Sequence, residues 1–297
     1  MLEIKNLTKY YGKVKVLEDL NLYIQTGTIY GLLGPNGSGK TTTINLICNL
    51  LQADSGIIKI NNQIVSDATK AWIGVATQEN LLYKTLSCAE NLDFYARIYG
   101  LKGKKRARQI KTSLTAVKLL ERAKSPVETL SGGMQRRVNI AVALVHEPKL
   151  IILDEPTAGL DIETRYEIWE LILNLKRQGM TVLLTTHLLD EAQRLCDRLC
   201  IIHHGKIIAE GSLSELRQLF PAQEIVLIKT EAETKAIAIA QQLGFLHRRY
   251  GGDLAFLLPY PLELKEIIAL FDGIPLHSLT RQSVQLEHIY LEVTQNY

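Results

Sequence analysis

The sequence predicts an α/β protein: a parallel-sheet core with a helical arm, followed by a small α+β domain. Three observations predict it. Apolar runs such as Leu150–Leu153 and Thr181–Thr185 alternate with segments apolar at helical spacing, joined by short connections. A strand, a glycine-rich loop and a helix follow directly on one another around Gly34 to Thr42. Beyond about Leu213 the composition changes and no second glycine loop appears, which places a boundary near 212.

Taken in order, residues 2–30 alternate like strands, broken at Gly12 and Gly27. Ile29 to Leu33 reads as a buried strand, and Thr41 to Leu51, apolar at Ile44, Ile47, Leu50 and Leu51, as a helix. Strand 57–60, the Asn61-Asn62 turn and strand 72–77 follow. From Ser87 to about Arg122 the spacing of Leu92, Tyr95, Ala96 and Tyr99 is helical, and Ser131 can cap a further helix. Together these give a helical arm over about 87–140. Strand 150–153, helix 162–177, strand 181–185, helix 188–196 and strands 198–203 and 206–209 complete the first domain. The remainder, 213–297, reads as βαββαβ plus a closing helix, the split-βαβ arrangement.

Composition excludes several classes. With 297 residues, 46% hydrophobic and 22% charged, the chain can bury a large core. A net charge of +3 gives no nucleic-acid footprint. The run Lys102 to Arg108 is either a solvated helix start or a surface for headgroups or a partner. Cys48, Cys88, Cys196 and Cys200 complete no zinc set and fit core thiols of a reducing compartment. Met1–Lys5 lacks the shape of a signal peptide, and no stretch approaches 18 unbroken apolar residues. A membrane role is therefore expected only through a partner.

The chemistry gathers in a few places. Gly34-Pro35-Asn36-Gly37-Ser38-Gly39-Lys40-Thr41-Thr42 fits the phosphate-loop pattern without a mismatch. Its glycines let amides approach phosphate oxygens, Lys40 reaches the β- and γ-phosphates, and the Thr41 hydroxyl can join a Mg²⁺ shell. The strand 150–153 ends in Asp154 and Glu155, the first suited to Mg²⁺ and the second to general-base work on water. Ser131-Gly132-Gly133 opens a helix whose first amides are free for an anion. Gln78 and His187 lie at strand ends, where ligands of open sheets gather; either alone reads more readily as structural, and they gain weight only jointly with the rest. Ala158–Asp161 follows the carboxylates directly, with Asp161 able to cap the next helix.

Together these residues resemble the ATPase subunit of an ABC transporter, over residues 1 to about 212, which implies a P-loop cassette whose parallel-sheet core carries an antiparallel β subdomain and a helical arm. Gly34–Thr42 is similar to Walker A, Leu150–Glu155 to Walker B, and Leu130–Gly133 to the signature. Gln78 corresponds to the Q-loop, Ala158–Asp161 to the D-loop, His187 to the switch histidine and Tyr11 to the adenine-stacking aromatic, with Tyr10 the other candidate. The resemblance implies that ATP and Mg²⁺ are bound between two subunits, with Thr41, Gln78 and Asp154 around the metal. Ser131, Gly132, Gly133 and Asp161 of one subunit would complete the site built on Lys40 of the other, and Glu155, His187 and Gln78 would carry the catalysis. The stretch 87–140 would meet a membrane permease at the cytoplasmic face of the membrane. Leu286–Thr294 is similar to the tail of drug-, lipid- and polysaccharide-exporter ATPases. A soluble relative acting on ribosomes or DNA is the alternative; that class carries two cassettes or a long coiled coil. Met134 stands where the commonest signature has Gln, and Ala76-Thr77 precedes Gln78 where many relatives have Pro.

Overall fold

The apolar runs of the central strands are buried on both faces, with alternate side chains entering different layers of this protein, whose computed structural model describes residues 1–295. The chain divides into two units, Met1–Ser212 and Leu213–Tyr297. In the first, β1 (Leu2–Tyr11) and β2 (Val14–Ile24) form a hairpin, followed by β3 (Ile29–Leu33) and α1 (Lys40–Ile47). β4 (Ser55–Ile60) and β5 (Gln63–Ile64) are joined through Asn61 and Asn62, both left-handed at φ 48° and 64°, as a tight hairpin turn demands. β6 (Ile73–Ala76), α2 (Cys88–Ile98), α3 (Gly103–Ala116) and α4 (Gly132–Leu144) come next. β7 (Leu150–Asp154), α5 (Ile162–Arg177), β8 (Thr181–Thr186), α6 (Leu189–Leu195), β9 (Arg198–His203) and β10 (Lys206–Gly211) complete the unit.

The six-stranded sheet has the order β10-β9-β3-β8-β7-β6, parallel except for β10. Its two faces divide each strand. Ile151, Leu153, Val182 and Leu184 point into one core with α4 and α5. Leu150, Ile152, Leu183 and Tyr30 point into another, with α1 and the antiparallel sheet β2-β1-β4-β5. On the helical side, β6 and α4 approach so closely that a Cβ on Gly74 would stand 2.0 Å from the Ala143 carbonyl oxygen.

The helical stretch expected from 87 to about 122 is two helices. Leu101 N–H donates to Ala96 O (2.9 Å), the wrap that ends a helix at a glycine, here Gly100. Single turns at Leu120–Arg122 and Val127–Thr129 then lead to α4.

The second unit opens with α7 (Leu213–Arg217), then β11 (Glu224–Thr230), α8 (Glu233–Gln242), β12 (Leu246–Tyr250) and β13 (Asp253–Leu258). It closes with α9 (Leu264–Leu270), β14 (Leu276–Ser283) and α10 (Leu286–Gln295). The order β12-β13-β11-β14, antiparallel throughout, is the split-βαβ sheet. Its own core stacks Phe256 on Phe271 at 5.2 Å between ring centres. β14 runs past its apolar pattern through Arg281, because β11 supplies the ladder, with Arg281 opposite Val226, and Glu224 pairs with Arg281 diagonally across it.

Candidate nucleotide site

Four neighbouring parallel strands, β3, β8, β7 and β6, end on one edge of the sheet, and each is followed by residues with chemistry. Ligands of open α/β sheets bind beyond that edge. Here a cavity of about 200 Å³ is lined by Asn36, Gly37, Gly39, Lys40, Thr41, Thr42, Gln78, Asp154 and Glu155, with Val16 from β2. The phosphate loop, the Gln78 segment and the strand-end carboxylates thus share one hollow.

Local forces shape the loop. Gly37 and Gly39 take φ of 79° and 111°, which a side chain resists, and they turn the loop back onto α1. Gly34 is closely enclosed: a Cβ there would lie 2.4 Å from Ile202 O. Its amide donates to Thr186 O on β8 (3.2 Å), Ser38 O accepts from the Gly205 amide (3.1 Å), and Pro35 lies between. The buried Lys40 Nζ donates to Gly34 O (2.7 Å) and Pro35 O (3.1 Å) and lies 3.4 Å from Glu155 Oε1. Thr41 and Thr42 begin the helix, where its dipole and free amides favour an anion.

Glu155 is buried and left-handed, at φ 49°. His187, at the end of β8 and partly exposed, places Nδ1 2.7 Å from Glu155 Oε2. One carboxylate therefore faces the loop's ammonium with one oxygen and the histidine with the other. Asp154 accepts a hydrogen bond at Oδ1 from the Thr185 hydroxyl on β8. Thr41, Gln78 and Asp154 offer oxygen donors in one cavity, a set that suits Mg²⁺. Among the described residues there is no group of three His, Cys, Asp or Glu that could hold a metal.

Ser131, Gly132, Gly133 and Asp161 are not among the lining residues of this cavity. Ser131 caps α4, accepting from the Met134 amide at 3.3 Å, and is exposed with Gly132. Asp161 caps α5, and the Thr164 amide and hydroxyl hold its carboxyl below the usual range. The two caps are neighbours, since a Cβ on Gly133 would stand 2.2 Å from Thr164 Cγ2. Tyr11 stands exposed at the β1–β2 hairpin and is also outside the lining, whereas Tyr10 carries the Lys15 ammonium 5.7 Å from its ring centre.

Three residues here escaped the sequence reading. Val16 lines the cavity without a motif of its own. Glu191 is wholly buried on α6, where it accepts from Thr157 Oγ1 (2.6 Å) and Trp169 Nε1 (3.0 Å). Burial pushes its carboxyl above the usual range. Arg136, a buried guanidinium on α4, reaches the main chain at both Gln78 and Glu155. The cysteines are free, and burial raises Cys48 and Cys200 to about 12, so neither is a reactive thiolate.

Phosphate loop, strand-end carboxylates and parallel sheet define a P-loop nucleotide triphosphatase. A match to the ABC transporter family covers residues 17–158. The linearmycin resistance ATP-binding protein LnrL of Bacillus subtilis (strain 168) is 41% identical over 81% of this chain and 78% of its own length. A Nod factor export ATP-binding protein I from Burkholderia orbicola (strain AU 1054) is 33% identical over 99% of this chain and 96% of its own. Among solved structures, an ATP-binding subunit of an ABC transporter is 34% identical with a TM-score of 0.65, over 73% of this chain and 92% of that one. A dimeric post-hydrolysis ATP-binding cassette bound to ADP and Pi is 30% identical with a TM-score of 0.64, over 72% of this chain and 99% of that one. The chain belongs to the ABC transporter ATP-binding family, and it is an ATPase of that class.

Proposed function

We propose that this subunit pairs with a second copy around two ATP molecules and drives export through a separate membrane permease at the cytoplasmic face. The observation that carries the reading is the division of the motifs. The loop, Gln78, Asp154 and Glu155 line one cavity, while Ser131, Gly132, Gly133 and Asp161 lie outside it, with Ser131, Gly132 and Asp161 exposed. That division supports a site completed by the partner, as does the dimeric cassette among its structural relatives.

Within the site, loop amides and Lys40 bind the β- and γ-phosphates. Glu155 takes a proton as water attacks the γ-phosphorus and the bond to the β-γ bridging oxygen breaks, and His187 holds the carboxylate in place. Thr41, Gln78 and Asp154 would hold Mg²⁺, which supplies charge neutralisation to the phosphates. Tyr11, on the exposed hairpin, serves as the adenine platform. The permease docks on the arm, where Leu81, Tyr83, Phe94 and Ile98 leave an apolar surface exposed. No helix among the described residues is long and apolar enough to cross a membrane. The relatives' names, Nod factor export and linearmycin resistance, favour an exporter over a ribosome- or DNA-acting ATPase.

Mixing two damaged subunits tests the arrangement. A heterodimer of Ser131→Arg with Lys40→Ala contains one site damaged twice and one site intact. ATP should assemble this mixture while neither variant pairs with itself, read by light scattering. A normal Ser131→Arg homodimer, with no gain on mixing, would sink the shared-site reading.

A further inference from the structure

Arg136 lies on the second turn of α4 and is 4% exposed. Its guanidinium is directed almost wholly at main-chain carbonyls from two strand ends. Nε donates to Pro156 O (2.7 Å), Nη2 to Asp154 O (3.2 Å) and to Glu155 O. Nη1 donates to Gln78 O (3.0 Å) and Thr77 O, with Asn80 Oδ1 at 3.5 Å. One turn further along, Asn139 Nδ2 also donates to Thr77 O (3.0 Å). A single planar fork therefore joins the helix that opens at Ser131, the segment carrying Gln78 and the backbone of Glu155.

The position matters because Glu155 is left-handed. A non-glycine residue stays in that region only where its surroundings hold it. Its backbone bonds do so: the amide donates to Thr185 O (3.1 Å), and the carbonyl accepts from Arg136 and from the Ala158 amide (3.2 Å). Burial works against the charge of the guanidinium, and Asp154, Glu191 and Glu155 favour it. A lysine ammonium is a point charge on a flexible stem and cannot span carbonyls on both segments.

We infer that Arg136 is a positioning residue for hydrolysis: it ties the backbone of Glu155 to that of Gln78, so the signature helix, the Gln78 segment and the general base move as one body. The inference rests on Glu155 being the base. Any tilt of α4 then bears directly on the backbone of Glu155.

The test uses the full chain with Arg136→Lys. Misplacing a base by a fraction of its reach should lower kcat about 10²-fold. ATP affinity should hold within about threefold, since uniform binding is untouched. A kcat within about twofold of the parent overturns the inference, and so does a kcat loss matched by an equal loss of affinity. Should the variant not fold, hydrogen exchange on Glu155→Gln with ATP decides. Segments 77–80, 132–139 and 154–158 should gain protection together, within about threefold, as one cooperative unit does. Protection spread over about tenfold among them overturns the coupling. Glu155→Gln also separates the two readings: turnover persisting there removes the base assignment, whereas normal Arg136→Lys beside an inactive Glu155→Gln removes only the inference.

Discussion

At the scale of single residues, the site is a set of charges whose positions are fixed by bonds to the backbone. Lys40, Glu155 and His187 form a chain of contacts at 3.4 and 2.7 Å, and Arg136 supports it from behind. Glu191 is the acid beneath this layer, joining Thr157 to Trp169. Its folded pKa is raised above the ordinary 4.5 by burial, so the unfolded chain loses that proton first as pH rises. Its contribution to stability therefore falls from pH 4.5 up through the raised folded value. Glu191→Gln keeps an acceptor and removes the titration. The melting temperature of the Gln variant relative to the parent should climb as pH rises towards neutrality, by differential scanning calorimetry. A difference independent of pH would show that Glu191 is not held protonated. The phosphate loop and strand-end acids were legible in the sequence because their residue types are required in consecutive positions. Arg136 was not. Beside Arg137 it reads as a surface cation, and only packing turns one inward to carbonyls while the other pairs with Glu167.

At the scale of elements, strands and long helices follow their periodicity, and departures have local causes. α5 begins and ends where the pattern places it, with Asp161 as cap. β5 has two residues and α7 five, too short for any period to show. β14 is a strand through Arg281 because of its neighbour, which no pattern within the strand could reveal. The tightest contact is between β6 and α4, and Gly74→Ala tests it. A methyl group 2.0 Å from Ala143 O forces strand and helix apart, and overpacking of this kind costs about 1–3 kcal/mol. Chemical denaturation should read that loss, and an unchanged midpoint would mean that the approach is slack.

At the scale of the whole molecule, each unit has its own core. No residue lining the nucleotide cavity lies beyond Ser212. Residues 1–212 alone should then bind ATP within about threefold of the full chain, because cavity contacts rather than remote ones set uniform binding. Isothermal titration of the shortened chain checks this. A loss of about tenfold or more would show that the second unit holds the loop in shape. The matched relative from Burkholderia orbicola spans both units, whereas the matched structures cover close to three quarters of the chain.

The left-handed turn at Glu155 has a consequence for parity. Adjacent residues of a strand point to opposite sides, so a regular extension of β7 would send Asp154 and Glu155 apart. Reversing the sign of φ at one residue cancels that alternation, and both acids line the same hollow. Two carboxylates with different neighbours, Thr185 for one and Lys40 and His187 for the other, thus sit side by side without a second segment of chain to deliver one of them. Position 155 therefore has two requirements, a carboxylate for its contacts with Lys40 and His187 and tolerance of a left-handed backbone. Branched side chains fail on the second count before chemistry is considered.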